Sequence, residues 1–380
     1  MNVLNRSFLL LAVLFFLVML GIFVYSLFLQ SSPSLGPDFQ SVSPKTVIAY
    51  YVSPSGDDNN NGKSVSLPFK TIQKAVDLAQ PGETIQLAPG IYLQDVVTKR
   101  DGKKDAPIVI SGPTEAIVQG GGRDRIFEIH HNNIFLQGFT VNGHFSQTDS
   151  TSGYRSKLLY IQGKGVKAGV TGLKITGMTI KNSAGECVRL RYFAQNNEVS
   201  HNNIQNCGVD DFLFNGGGKN GEGIYIGTAP EQLKDRKNPT ADPDQSNNNW
   251  IHDNNINTQG NECVDIKEAS SGNIVENNKC TGQMDPKSGG MDSRGSKNSF
   301  RNNIIFGNLG AGIRLGGDKI TDGIDNNVYG NIIKDNQSGG IKFERITQGK
   351  ICSNIMSGNI DGNTVGTFGI LFKPTSNCPN

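Results

Sequence analysis

Six short stretches of the chain echo one another: GECVRLR (185–191), GEGIYIG (221–227), NECVDIK (261–267), SGGMDSR (288–294), GAGIRLG (310–316) and SGGIKFE (338–344). Each passes through a turn, a small residue or cysteine, an apolar residue and then an alternating strand. Between them falls a second pattern, apolar-x-x-Asn-x-apolar. It reads Val199-Asn202-Ile204, Ile251-Asn254-Ile256, Val275-Asn278-Cys280, Phe300-Asn303-Ile305, Val328-Asn331-Ile333 and Ile351-Asn354-Met356. From Asn254 onward the asparagines are spaced by 24, 25, 28 and 23 residues. That period holds short strands and turns but no helix, and one such coil cannot bury its own apolar face. Stacked coils can, and asparagines stacked at one turn would satisfy each other's amides. The repeat predicts an all-β chain: a single-stranded right-handed parallel β-helix of about ten coils.

Such a solenoid needs capped ends. FKTIQKAVDLA (69–79) places Ile72, Ala75, Val76 and Ala79 at helical spacing and is stopped by Pro81-Gly82, which predicts an N-terminal capping helix. TIQLAPGIY (84–92) then opens the strands. Ahead of all this, residues 8–29 form an apolar run behind Arg6, and about 20 such residues cross a bilayer. The expected organisation is a cytoplasmic N-terminus (1–7), a transmembrane signal anchor (8–29), a linker (30–46) and the β-helix (47–380) outside the cytoplasm. Cleavage and secretion are the alternative.

Six cysteines fit an oxidising compartment. Local pairing, 187–207, 263–280 and 352–378, is the simplest arrangement, with buried free thiols the alternative. A net charge of +2 gives no reason to expect nucleic acid as a partner, and a monomer is expected. The five histidines share no ligand spacing with the cysteines; His201 and His252 fall at unequal places in the repeat and read as turn residues. The segment 227–246, charged and proline-bearing, lengthens one coil. It reads either as a wall beside the strands or as a surface excursion.

Equivalent residues of successive coils lie about 4.8 Å apart, so the repeat can be read as columns. One outward column runs Arg189, Tyr225, Asp265, Asp292, Arg314, Lys342, and another Arg191, Gly227, Lys267, Arg294, Gly316, Glu344. Glu186, Glu222 and Glu262 stand in the turn before the strand. Alternating charges of this kind can be no more than solvated ladders of little energy. Read as a site, Glu222, Glu262, Asp265 and Asp292 offer oxygen ligands to a hard cation such as Ca2+. Lys267, Arg294 and Arg314 would act on an acidic sugar, and Arg189, Arg191 and Tyr225 would bind it.

YYVSPSGDDNNNGKSVSLPFKTIQKAVDLAQPGETIQLAPGIY (50–92) resembles the opening of right-handed β-helix polysaccharide lyases, the pectin-lyase-like solenoids. GAGIRLGGD (310–318) resembles the G-x-G-F-K-L-G-G stretch that carries the catalytic lysine of family 9 pectate lyases, with Arg314 at that lysine's place. In that family an upstream D-D-G-x-D segment binds calcium; NECVDIK or SGGMDSR would take that role. Lys267 and Arg294, one coil apart, are similar to the Lys/Arg pair of chondroitinase-B-like and alginate lyases. The resemblance implies calcium-assisted β-elimination on an acidic, uronate-containing polysaccharide such as pectate or alginate. That chemistry needs the substrate carboxylate neutralised and a base for the C5 proton. Lys267 or Arg314 would be the base, and Lys267 would need its pKa depressed by positive neighbours.

Other readings share the fold. A glycoside hydrolase would use paired acids such as Asp210-Asp211, yet the G-H-G and R-I-K motifs of polygalacturonases are absent from the sequence. The D-P-H-D motif of mannuronan epimerases is absent too. A membrane-anchored glycan-binding or adhesive β-helix would need no base at all.

Overall fold

The computed structural model describes residues 46–146 and 150–379. The expected transmembrane segment, with residues 1–7 and the linker up to residue 45, lies outside the described residues. Among those described, no helix is long and apolar enough to cross a membrane.

The strands form three sheets of eleven, ten and ten strands, every ladder between them parallel. Each coil adds one strand to each sheet in turn, which is the right-handed parallel β-helix that the repeat predicts. The apolar positions of the repeat stack into columns. In the first sheet Val199 pairs with Ile251, Ile251 with Val275, Val275 with Phe300 and Phe300 with Val328. In the third, Val188, Ile224, Val264, Met291, Ile313 and Ile341 follow one another. All of these are fully buried, and each such side chain stabilises by about 1.5–3 kcal/mol. No single coil provides a partner layer for its own column, so the core exists only as a stack.

The corner between the first and second sheets is made by two residues. The first takes a left-handed backbone, as at Asn277, Asn302 and Gly330 (φ 56, 55 and 68), a conformation that asparagine and glycine tolerate best. The second is the ladder asparagine. Starting from Asn202, which donates to Asn254, each of Asn254, Asn278, Asn303, Asn331 and Asn354 accepts from the side-chain amide of the ladder asparagine one coil before, at 2.9–3.1 Å. A parallel ladder five residues earlier joins Asn197, Asn249, Asn273, Asn298 and Asn326, and a shorter one joins Asn308, Asn336 and Asn359. Buried Asn336 opens the Asn-Gln-Ser sequon, so in the folded chain that amide is held in a ladder and is closed to glycosylation.

The capping helix, α1 (Ile72–Leu78), begins at the first residue of the apolar spacing because Thr71 caps it, accepting from Lys74 N at 3.2 Å. It buries Ile72, Ala75 and Val76 over the first coil. At the other end Phe372 stacks on Phe343 at 3.9 Å. All three local disulfides are formed, Cys187–Cys207, Cys263–Cys280 and Cys352–Cys378, the chemistry of an oxidising compartment.

Candidate functional site

The outward column has the register read from the sequence. Arg189 pairs with Tyr225, Tyr225 with Asp265, Asp265 with Asp292, Asp292 with Arg314, and Arg314 with Lys342. Alternation along each short strand turns Val264 and Ile266 into the core and Asp265 outward. Outward does not mean solvated here: Asp265 and Asp292 are 1% and 2% exposed, Glu222 and Glu262 3% and 4%. A cleft of about 370 Å³ brings all four acids together with Lys267, Arg294, Arg314 and Tyr225.

The insertion is what closes the cleft. Pro230–Asp235 forms a 3-10 turn whose Glu231 and Gln232 line the wall opposite the strands. It is pinned, since Asp244 accepts from Tyr192 N, Phe193 N and the Thr228 hydroxyl at 2.6–2.8 Å. The segment is therefore a wall and not a loose excursion.

One oxygen from each of Glu222, Glu262 and Asp265 lies within 4.8 Å of the other two. Lys267 Nζ sits 2.7 Å from Asp265 Oδ2, while Asp265 Oδ1 and Glu262 Oε2 have no hydrogen-bond partner. Ser288 donates to the other oxygen of Glu262, and Gly221 N to Glu222 at 3.0 Å. Burial pushes the Glu222 carboxyl up to about 7, helped by Glu186 and Asp265. Glu262 is raised well above the usual carboxylate range by burial and by Asp265, Glu222 and Asp292. Buried carboxyl groups with partnerless oxygens turned on one another form a hard, anionic donor set, which fits a divalent cation such as Ca2+. Asp292 lines the same cleft but stands outside the converging three; it pairs with Arg314 at 2.8 Å.

The expectation that positive neighbours depress Lys267 does not hold for the protein alone. Burial works to lower its pKa, but Asp265, Tyr225, Glu222 and Glu262 outweigh that and hold it well above the ordinary lysine value. Arg314 is raised by Asp292 against burial. Arg294 is raised too, burial notwithstanding, because Glu268 and Asp292 stand beside it. Its guanidinium is held by Glu268 and Asp318, two carboxylates that sequence reasoning did not single out. Glu268 directly follows Lys267, just past the strand Val264–Ile266, and that adjacency was the available signal.

Arg189 and Arg191, expected to bind substrate, are already engaged. Arg189 is 1% exposed, bonds Glu186 at 2.7 Å and Gln232 at 2.9 Å, and lies 3.5 Å over the Tyr225 ring. Lys267 approaches the same ring at 4.7 Å, so Tyr225 is a platform between two cations. Arg191 is tied to Asp235 and Asn238 of the insertion. Both arginines line a second cleft of about 530 Å³ along the same face, with Glu186, Lys157, Asp210 and Asp211. It is the larger of the two, but it lacks the converging partnerless carboxylates, so the smaller one is the better candidate for chemistry. Asp211 there is occupied by the amides of Gly218 and Asn220. Trp250 is not in either cleft; it stacks on His252 and donates to Glu276.

Residues 54–298 match the family described as "Protein of unknown function (DUF1565)". The chain belongs to that family. No curated protein sequence matches it. Among solved structures the chain is similar to an alginate lyase from Paenibacillus sp. str. FPU-7, at 19% identity and TM-score 0.59, over 77% of this chain and 96% of that one. It is similar to the pectate lyase Pel9A, at 15% identity and TM-score 0.53, over 84% and 79%. A tailspike protein 2 domain of Bacteriophage CBA120 aligns at 13% identity and TM-score 0.50, over 82% and 43%. At such identities the likeness shows the fold, which polysaccharide-active proteins of several kinds share.

Proposed function

We propose that this DUF1565 protein is an extracytoplasmic polysaccharide lyase that cleaves an acidic, uronate-containing chain by cation-assisted β-elimination. The observation that carries the proposal is the cleft in which Glu222, Glu262 and Asp265 converge beside Lys267, with Arg294 and Arg314 on the next two coils. A calcium ion held by those three carboxylates would neutralise the substrate carboxylate and so make the C5 proton acidic. Arg294 presents a planar guanidinium that suits a sugar carboxylate, once the substrate displaces Asp318. Lys267 takes the C5 proton, a double bond forms between C4 and C5, the C4–O bond breaks, and the departing oxygen gains a proton from water. The base must enter uncharged. The charges that hold its proton belong to Asp265, Glu222 and Glu262, the same carboxylates that would hold the cation. With their charge offset, the lysine is released to act; an arginine resists deprotonation far more strongly.

A hydrolase on the same fold is favoured by one observation: burial pushes the Glu222 carboxyl up to about 7 and Glu262 upward as well, the direction a general acid needs. A screen of pectate, alginate and other acidic polysaccharides, with and without calcium, separates the readings. Ultraviolet absorbance from an unsaturated uronate supports elimination. New reducing ends without that absorbance support hydrolysis, and binding without cleavage supports an adhesive role. Losing a positioned base costs about 10²–10⁴ in rate, so Lys267→Ala should fall by that much and Arg314→Ala by less. Full activity in both variants would move the site elsewhere. Residues 8–29 are proposed as the membrane anchor; release of the full-length chain by carbonate washing would refute it.

A further inference from the structure

On a different face of the solenoid, the corner after the first sheet carries a residue in left-handed backbone in successive coils. Later coils place Asn277, Asn302, Gly330 and Ser353 there. The two earlier coils place His201 and Asp253 there, at φ 56 and 54, and both side chains are exposed. Their register is fixed, since Ser200 pairs with His252 and Asn202 bonds Asn254. His252 ends its strand one residue before Asp253, so two imidazoles and a carboxylate meet across adjacent coils.

One donor atom from each of His201, His252 and Asp253 lies within 4.8 Å of the other two. His252 Nδ1 is 2.6 Å from Asp253 Oδ2, and the two imidazoles meet edge to face at 5.7 Å. His252 is 6% exposed. Its Nε2 has no hydrogen-bond partner, although Glu198 Oε1 stands 3.5 Å away. Trp250 stacks on the ring at 3.7 Å, which fixes its plane. The His252 ring is thus pre-oriented beside two solvent-facing donors.

We propose that His201, His252 and Asp253 form a surface site for a divalent transition-metal ion of the Zn2+ type, bound across two coils. Two imidazole nitrogens and one carboxylate oxygen suit borderline ions such as Zn2+, whereas Ca2+ requires oxygen ligands. The exposed side leaves the remaining coordination positions to water. The donor set differs in kind from the all-carboxylate cluster of the cleft, so this site stands independently of the lyase reading.

The test is to titrate the full chain, freed of metal and kept in excess Ca2+ to mask the carboxylate cluster, with Co2+ and then Zn2+. Visible Co2+ absorbance and calorimetry report the binding. We expect one equivalent to bind, with Zn2+ displacing Co2+. His201→Ala and Asp253→Asn, both surface changes, should each weaken binding at least about tenfold. Glu222→Gln should leave it unchanged. No uptake by the wild type, or unchanged uptake by His201→Ala, overturns the proposal.

Discussion

Replacing a buried acid of the cleft should make the cation-free protein more stable. Glu222 is 3% exposed, and burial first, then Glu186 and Asp265, moves its carboxyl from the ordinary 4.5 to about 7. At about 1.36 kcal/mol per pKa unit, the ionised form weakens the fold by roughly 3 kcal/mol. The sign follows from proton uptake. Between 4.5 and about 7 the folded chain holds a proton on Glu222 that the unfolded chain has lost. Wild-type stability from this group is therefore fully present below 4.5 and is lost as pH rises through about 7.

Glutamine mimics the neutral acid, and its carbonyl can still accept from Gly221 N. Glu222→Gln should match the wild type at pH 5 and exceed it by about 2–3 kcal/mol at pH 8. Equilibrium urea unfolding at both pH values, without added cation, measures this. Calcium should then stabilise the wild type at pH 8 and have a much smaller effect on the variant. A variant less stable than wild type at pH 8 without cation would show that Glu222 is not a strained carboxylate.

Asn278→Ala removes an amide that donates to Ile251 O and Asn303 Oδ1 and accepts two bonds from Asn254. With several partners orphaned in the core, it should cost about 3–5 kcal/mol by denaturant unfolding. Asn277→Ala, next door at φ 56 but outside the ladder, should cost only about 1 kcal/mol; equal losses would deny the ladder its role. Removing Cys263–Cys280, which closes a separation of 17 residues, should cost about 3 kcal/mol, read by comparing melting of the double alanine variant with wild type.

How much of this was legible depends on whether a feature repeats. The columns from Arg189 to Lys342 were fixed by sequence alone because every coil restates its inward apolar residue, and the strand period of two does the rest. The Asn202 ladder was visible for the same reason. The Asn197 ladder, five residues earlier in every coil, carried an equal signal but lacks a flanking apolar residue on its N-terminal side. What could not be read was depth. The residue types of Arg189 and Asp265 say nothing of whether an inserted loop covers them. Residues 230–235 do cover the strand face, which turns exposed charges into buried ones; that burial works to lower Lys267, and the acids beside it raise it instead. Arg294's partners were hidden because both lie just past the strand ends of the neighbouring coils, Glu268 in the coil before and Asp318 in the coil after.

Charge counting within the cleft leads to one more expectation. Lys267 answers Asp265 and Arg314 answers Asp292, while neither Glu222 nor Glu262 makes an ion pair among the described residues. These are the two carboxyls driven furthest toward the neutral form, Glu222 to about 7 and Glu262 well upward. Without a cation, protons balance the surplus; a divalent ion would take their place. Binding should then release more protons at pH 6, where Glu222 still carries most of its proton, than at pH 8, where Glu222 has ionised. Calorimetry in two buffers of different ionisation enthalpy counts them, since the apparent heat differs by protons released times the buffer difference. Glu222→Gln should lower the count at pH 6 by about one. Calcium binding with a heat independent of buffer would mean that the ion sits elsewhere, and the elimination chemistry proposed for this cleft would lose its support.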